Sequence, residues 1–229
     1  MIDAETQQLV VDATTELWEI QSTYAAFLSA FQGKERGHRI ADLVEELTVT
    51  HLEGTFDVKH ELRGGSRRAR SMGDLWLGSS DMYNPINVKA GVYGVGGQPN
   101  LVSLAKLTEA LLDHLIDSYY LLFVKFTDTN PPKADVELIN LLGYLEFVHF
   151  DSGTGQMMLR ADRFMKRMET GESDVEASVS DALARLLDMR REGDQNLAEN
   201  RAKKLAALEK KAAAFDPRLG IDQRGLELG

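Results

Sequence analysis

The chain has 229 residues and no cysteine. That excludes disulfides and thiolate metal ligands, and it fits a reducing compartment. No apolar run reaches the roughly 18–20 residues that a membrane-spanning helix needs. The opening residues Met1 to Glu5 lack the basic start and apolar stretch of a secretory signal. The expectation is a soluble, cytoplasmic protein with no membrane partner. Basic residues are outnumbered: 26 Lys and Arg stand against 36 Asp and Glu, for a formal net charge of −10. Overall charge therefore argues against nucleic acid, because phosphate binding draws on Lys and Arg. HExxH, Walker and GxSxG patterns are missing, and His38, His51, His60, His114 and His149 form no tight ligand spacing. Gly91, Gly94, Gly96 and Gly97 do not make a dinucleotide fingerprint.

What is present is a globular composition, 43% hydrophobic, long enough to bury a core without staples. Charge is unevenly spread. Residues 1–30 carry five acids and no base, whereas residues 59–70 read KHELRGGSRRAR. An acidic body with one basic segment is compatible with a DNA enzyme and does not demand one.

Periodicity organises the chain. Val10, Ala13, Leu17, Ile20, Tyr24, Phe27 and Phe31 recur by three and four, which predicts one long amphipathic helix stopped at Gly33. Its spacing suits either packing on its own domain or a coiled coil. A second helix is expected around Ile40, Leu43, Val44 and Leu47. Strands are expected over Thr55 to Leu62, Asp74 to Gly78, Ile86 to Val92 and Leu121 to Phe126. Asn100 reads as the cap of a helix from Leu101 to Tyr119. Tyr144 to Phe150 and Gln156 to Leu159 form a hairpin about Asp151–Gly155, then a short helix covers Arg163 to Met168. Asp174 to Phe215 is helical, with Gly193 and Asn196 as points of interruption. The fold expected is α/β (α+β): a mixed β-sheet core flanked by helices, with helical N- and C-terminal segments. It reads as a single domain over 1–229, divided into a helical segment 1–52, a core 53–170 and a helical segment 174–215.

Asp74 lies on one expected strand and Lys89 on the next. Asn87 and Lys89 are two apart, so on a strand they share a face. If the strands pair, a carboxylate, an amide oxygen and an ammonium meet in one small volume. That set suits phosphodiester hydrolysis with Mg²⁺, with Asp74 and Asn87 as oxygen ligands. Lys89 would orient the attacking water or stabilise developing charge. From spacing alone, the same residues also fit a turn aspartate and a solvated strand lysine.

The run GDLWLGSSDMYNPINVKAGVYGVGGQPNLVSLAKL resembles the catalytic segment of the PD-(D/E)xK nucleases, and looks closest to type II restriction endonucleases of the HincII kind. The likeness covers roughly residues 70–168. It implies a restriction-endonuclease-like core, sequence-specific Mg²⁺-dependent cleavage of double-stranded DNA, and Asp74, Asn87 and Lys89 as the catalytic set. Two positions depart from the pattern. Gly73 stands where the family name places proline, and Asn87 where most members carry Asp or Glu. Asn is neutral, binds Mg²⁺ less strongly and cannot act as a base. A few restriction endonucleases, MspI among them, are similar in having Asn there. The missing charge can come from a preceding helix; Glu46 is the metal ligand expected on that argument, alongside Glu45, with Glu53 and Glu61 behind them.

For DNA contact the resemblance points to the loop from Gly91 to Pro99. Gln98 and Asn100 would reach base edges, and Ser103 and Lys106 phosphates. Asn100 equally suits a plain helix cap. Arg63, Arg67, Arg68 and Arg70 form the expected phosphate clamp. Cleavage of both strands at a palindrome is simplest with a homodimer, joined through the first or the last helix. The alternatives are a repair or recombination nuclease on the same fold, and a non-catalytic DNA-binding or helical interaction protein.

Overall fold

Asp3 starts the first helix: its carboxylate accepts the Thr6 N–H at 2.8 Å, satisfying one of the donors a helix start leaves open. This helix, α1 (Ala4–Glu19), is followed by α2 (Arg36–Thr55), β1 (Glu61–Gly64), β2 (Leu75–Ser79) and β3 (Met82–Val92). Next come β4 (Asn100–Ser103), α3 (Leu104–Leu112), β5 (Tyr120–Phe126) and β6 (Ala134–Asn140). A 3-10 segment (Leu141–Phe147) leads to β7 (Val148–Asp151), β8 (Gln156–Leu159), α4 (Ala161–Thr170) and α5 (Val179–Ala213). The computed structural model describes residues 2–20, 36–56, 61–64, 72–79, 82–92, 98–127, 133–170 and 178–215.

The strands build two sheets. The larger runs β1-β2-β3-β5-β6, parallel between β3 and β5 and antiparallel elsewhere. The parallel pair needs a crossover, and β4 with α3 supplies it. The smaller sheet is antiparallel, in the order β4-β8-β7. β5 is buried along its whole length, which is what a central strand covered on both faces requires. Its Tyr120 and Leu122 pack with Val10 of α1 and with Val49 and Leu52 of α2. Its Leu121 and Phe123 pack on the opposite face with α3, α4, α5 and the smaller sheet. Trp18 locks α1 to α2: it is fully buried, donates to the Thr48 hydroxyl at 3.1 Å and meets Phe126 edge-on at 5.3 Å. The mixed sheet, the flanking helices and the helices at both ends match the fold expected from periodicity.

Several boundaries differ. The first helix ends at Glu19, with Ile20 extended, and the expected continuation to Phe31 lies outside the described residues. α2 runs on through Thr55, and β1 overlaps the strand expected over Thr55 to Leu62 at Glu61 and Leu62, residues 57–60 lying outside the described residues. The helix expected over Leu101 to Tyr119 is a strand, a nine-residue helix and a turn. Most of its apolar residues are buried, Leu112 and Leu115 being exposed, but through three conformations; a helical period cannot tell them apart when strand pairing with β8 competes. Asn100 is accordingly a strand residue and no cap; Ser103 holds the N-cap position. The stretch Tyr144 to Phe147 is 3-10 and not strand, and β6 was not anticipated. α5 is continuous through Gly193 and Asn196. Gly193 is there because the helix passes so close to β7 that a Cβ would overlap the Phe150 ring.

Candidate active site

The site forms where β2 begins. β2 pairs with β3 from Leu75 opposite Ile86, so β3 beyond Ile86 has no strand neighbour on that side. Asp74, one residue ahead of β2, closes the gap. Its N–H donates to the Ile86 carbonyl at 2.8 Å, and its carboxylate Oδ2 accepts the Val88 N–H at 2.8 Å. A side chain thus replaces the missing strand as acceptor, and a buried backbone donor is satisfied. Gly73 allows this approach, because a Cβ there would lie 2.8 Å from Pro85 Cβ and 2.9 Å from the Ile86 carbonyl oxygen.

Two residues further along β3, Lys89 turns to the same place. Its Nζ lies 3.6 Å from Asp74 Oδ2 and donates to Glu45 Oε2 at 3.0 Å. Glu45 comes from α2 and reaches the open side of β3. Lys89 is largely covered, with 12% of its side chain exposed, while Asp74 and Glu45 are at 22% and 40%. The pair therefore lies in a half-shielded niche, where ion pairing is stronger than on an open surface. Burial pushes the Glu45 carboxyl above the ordinary range; the Lys89 ammonium opposes this and the nearby Asp74 carboxylate adds to it.

Asn87 completes the group. It is 5% exposed; its Nδ2 donates to the Tyr119 hydroxyl at 2.9 Å, and its Oδ1 is buried with no hydrogen-bond partner among the described residues. A buried amide oxygen left open costs free energy unless something outside the chain fills it. Burial, against the bond from Asn87 and with help from the Asp74 charge, raises the Tyr119 phenol well above its usual pKa.

Asp74 and Lys89 are thus brought together, while the Asn87 side chain, two residues before Lys89 on β3, bonds to Tyr119. Glu46 is exposed on α2, and the carboxylate that pairs with Lys89 is that of Glu45. The sequence held a clue. Val49 and Leu52, four and seven residues after Glu45, are buried, whereas Thr50 and Glu53 in the same relation to Glu46 are exposed. Tyr119 was missed as a site residue because it sat inside an expected helix. Gln98, Asn100, Ser103 and Lys106 lie ahead of β4, on it and in the first turn of α3, not in this cluster. Asn100 pairs with Met158 and Ser103 with Gln156, and both Gln98 and Asn100 are exposed. Arg63 sits on β1 opposite Trp76; Arg67, Arg68 and Arg70 fall outside the described residues, as does the loop 93–97.

A second charged cluster lies beneath α4. Lys125 Nζ is 3.0 Å from Glu169 and 3.8 Å from Asp135; Arg167 pairs with Glu137 and donates to the Tyr144 hydroxyl at 2.8 Å. Each cation faces a carboxylate of a neighbouring element, so this cluster ties α4 to β5 and β6.

The two carboxylates of the first cluster are the hard oxygen donors a divalent cation takes, and Asn87 on the same strand carries a neutral one. Among the described residues, no group of three or more His, Asp or Glu side chains converges as a metal site. No protein-family model and no curated protein matches the chain.

Gly73→Ala tests the local architecture. The Cβ meets backbone, not a flexible side-chain tip, so the variant should lose about 1–3 kcal/mol of stability. Chemical denaturation measures it, and a midpoint equal to wild type would contradict the close packing described.

Proposed function

We propose that the protein is a restriction-type endonuclease that hydrolyses phosphodiester bonds in double-stranded DNA at defined sequences, with Mg²⁺ as cofactor. The observation that carries this reading is the meeting of Asp74, Glu45 and Lys89, with Asn87 two residues before Lys89 on the same strand. Two carboxylates against one ammonium leave the niche with a net negative charge, which repels a phosphodiester. A divalent cation, when bound, reverses that sign and lowers the pKa of water beside the phosphate. Asp74 and Glu45 would supply anionic oxygens to hold it, and Asn87 a neutral one. Asp74 is fixed for that task through the Val88 N–H. Lys89 carries three N–H donors at the same point and would hold the attacking water or a phosphate oxygen in place. Glu45 makes up for the charge that Asn87 lacks.

The DNA would lie across this niche, with Gln98, Asn100, Ser103, Lys106 and the arginines 63, 67, 68 and 70 as candidate contacts. Digestion of a plasmid of known sequence with Mg²⁺ tests the proposal. Discrete fragments are expected, with Lys89→Ala reducing the cleavage rate by at least about a hundredfold. An intact plasmid in both Mg²⁺ and Mn²⁺ would overturn it, and a smear would favour a nonspecific repair-type nuclease on the same fold.

One observation favours a helical interaction role beside catalysis. α5 leaves the body after Gly193, and Leu205, Leu208 and Phe215 are 57%, 63% and 62% exposed. Leu205 and Leu208 fall at the a and d positions of a heptad, with Lys204 and Glu209 at the flanking g and e positions, and Phe215 lies just past the helix end. A parallel partner of the same sequence would match Leu205 to Leu205 and Lys204 to Glu209 across the pair. The partner proposed is a second copy, giving a homodimer with one site per strand. Sedimentation should then show a dimer for wild type and a monomer for Leu205→Asp/Leu208→Asp; a wild-type monomer at tens of micromolar would refute it.

A further inference from the structure

The niche holds three charged side chains, and one of them is already a cation. Lys89 Nζ is 3.0 Å from Glu45 Oε2 and 3.6 Å from Asp74 Oδ2, so a single ammonium engages both carboxylates. It is also the most covered of the three, with 12% of its side chain exposed. Solvent and salt screen such a charge far less than one at an open surface.

The charges do not balance around a divalent ion. Asp74, Glu45 and Lys89 together carry one net negative charge. A divalent cation turns that into one net positive charge for as long as the ammonium stays. With a neutral side chain at position 89, the two carboxylates would balance the divalent cation by themselves. In a half-shielded place an uncompensated charge is costly, and two cations held by the same carboxylates repel. Lys89 therefore stands against the ion in the absence of DNA. Its ammonium is a compact charge on a flexible stem, and a phosphodiester that drew it away would open the place between the carboxylates.

We propose that Lys89 is a built-in competitor of the divalent cation, whose ammonium occupies the place between Glu45 and Asp74 in the free protein and keeps cation affinity low there. This rests on the cation-dependent reading of the same site. It adds to that reading an antagonism between a residue of the site and its cofactor, and it makes cation uptake by the DNA-free protein the quantity to measure.

Mn²⁺ titration of the full-length protein by calorimetry at pH 8, without DNA and with thermal melting of each variant alongside, tests the competition. Two neutral variants are compared with wild type: Lys89→Met keeps most of the length, and Lys89→Gln keeps N–H donors for the two carboxylates should Lys89→Met fail to fold. Each should bind Mn²⁺ at least about tenfold more tightly than wild type, because a unit charge a few ångströms from the ion acts strongly in such a niche. A defect in folding does not produce a gain in affinity. Lys89→Arg keeps the charge and should show no such gain. Adding Asp74→Asn to the neutral variant should cancel the gain, which assigns the ion to this niche. Equal or weaker binding by the neutral variants, or a gain that survives Asp74→Asn, overturns the inference alone, and discrete fragments from the plasmid digestion would leave the nuclease reading standing. If neither wild type nor the neutral variants take up Mn²⁺ and the plasmid stays intact, the cation reading and this inference fall together.

Discussion

The site depends on a mismatch in strand length. β3 continues past the point where β2 begins, and the N–H of Val88 is left without a strand partner. Asp74 takes that N–H with its side chain, which pins the carboxylate at the open flank of β3. Lys89 follows from the period of the strand, and Glu45 from the helix laid beside it. Gly73 keeps the approach close enough for the bond to form.

The electrostatics follow from the same geometry. The niche is half shielded, so its charges act on one another more strongly than surface charges do, and they do not cancel. The excess is negative in a chain that is itself at −10. A phosphodiester approaching such a place is repelled until a cation intervenes. Under the proposed function, that would be the physical reason for a cation requirement. The charged cluster under α4 differs in kind: Lys125 and Arg167 meet their carboxylates across elements and hold the helix to the sheet.

Much of this was legible in the sequence where local period and side-chain direction coincide. Asn87 and Lys89 had to share a face, and an aspartate ahead of the preceding strand could meet them. The hairpin about Asp151–Gly155 and the helix after it were also readable, because turn residues and pattern agreed. Leu101 to Tyr119 was not. The residues are apolar at helical spacing, yet Leu101 and Val102 are buried consecutively in a strand, and Tyr119 stands outside any helix. Misreading that stretch concealed Tyr119. Choosing between Glu45 and Glu46 needed the packing of α2 on the sheet, although the buried stripe through Val49 and Leu52 already leaned toward Glu45. β6 alternates weakly and became evident only through its pairing with β5.

The most direct measurement is anomalous diffraction from crystals of the protein grown with duplex DNA and Mn²⁺ and flash-cooled before turnover. The account predicts a peak coordinated by oxygens of Asp74, Glu45 and Asn87, at roughly 2.0–2.3 Å from each. A peak bound elsewhere on the protein, or the ammonium of Lys89 still seated between Glu45 and Asp74 at saturating Mn²⁺, would contradict it.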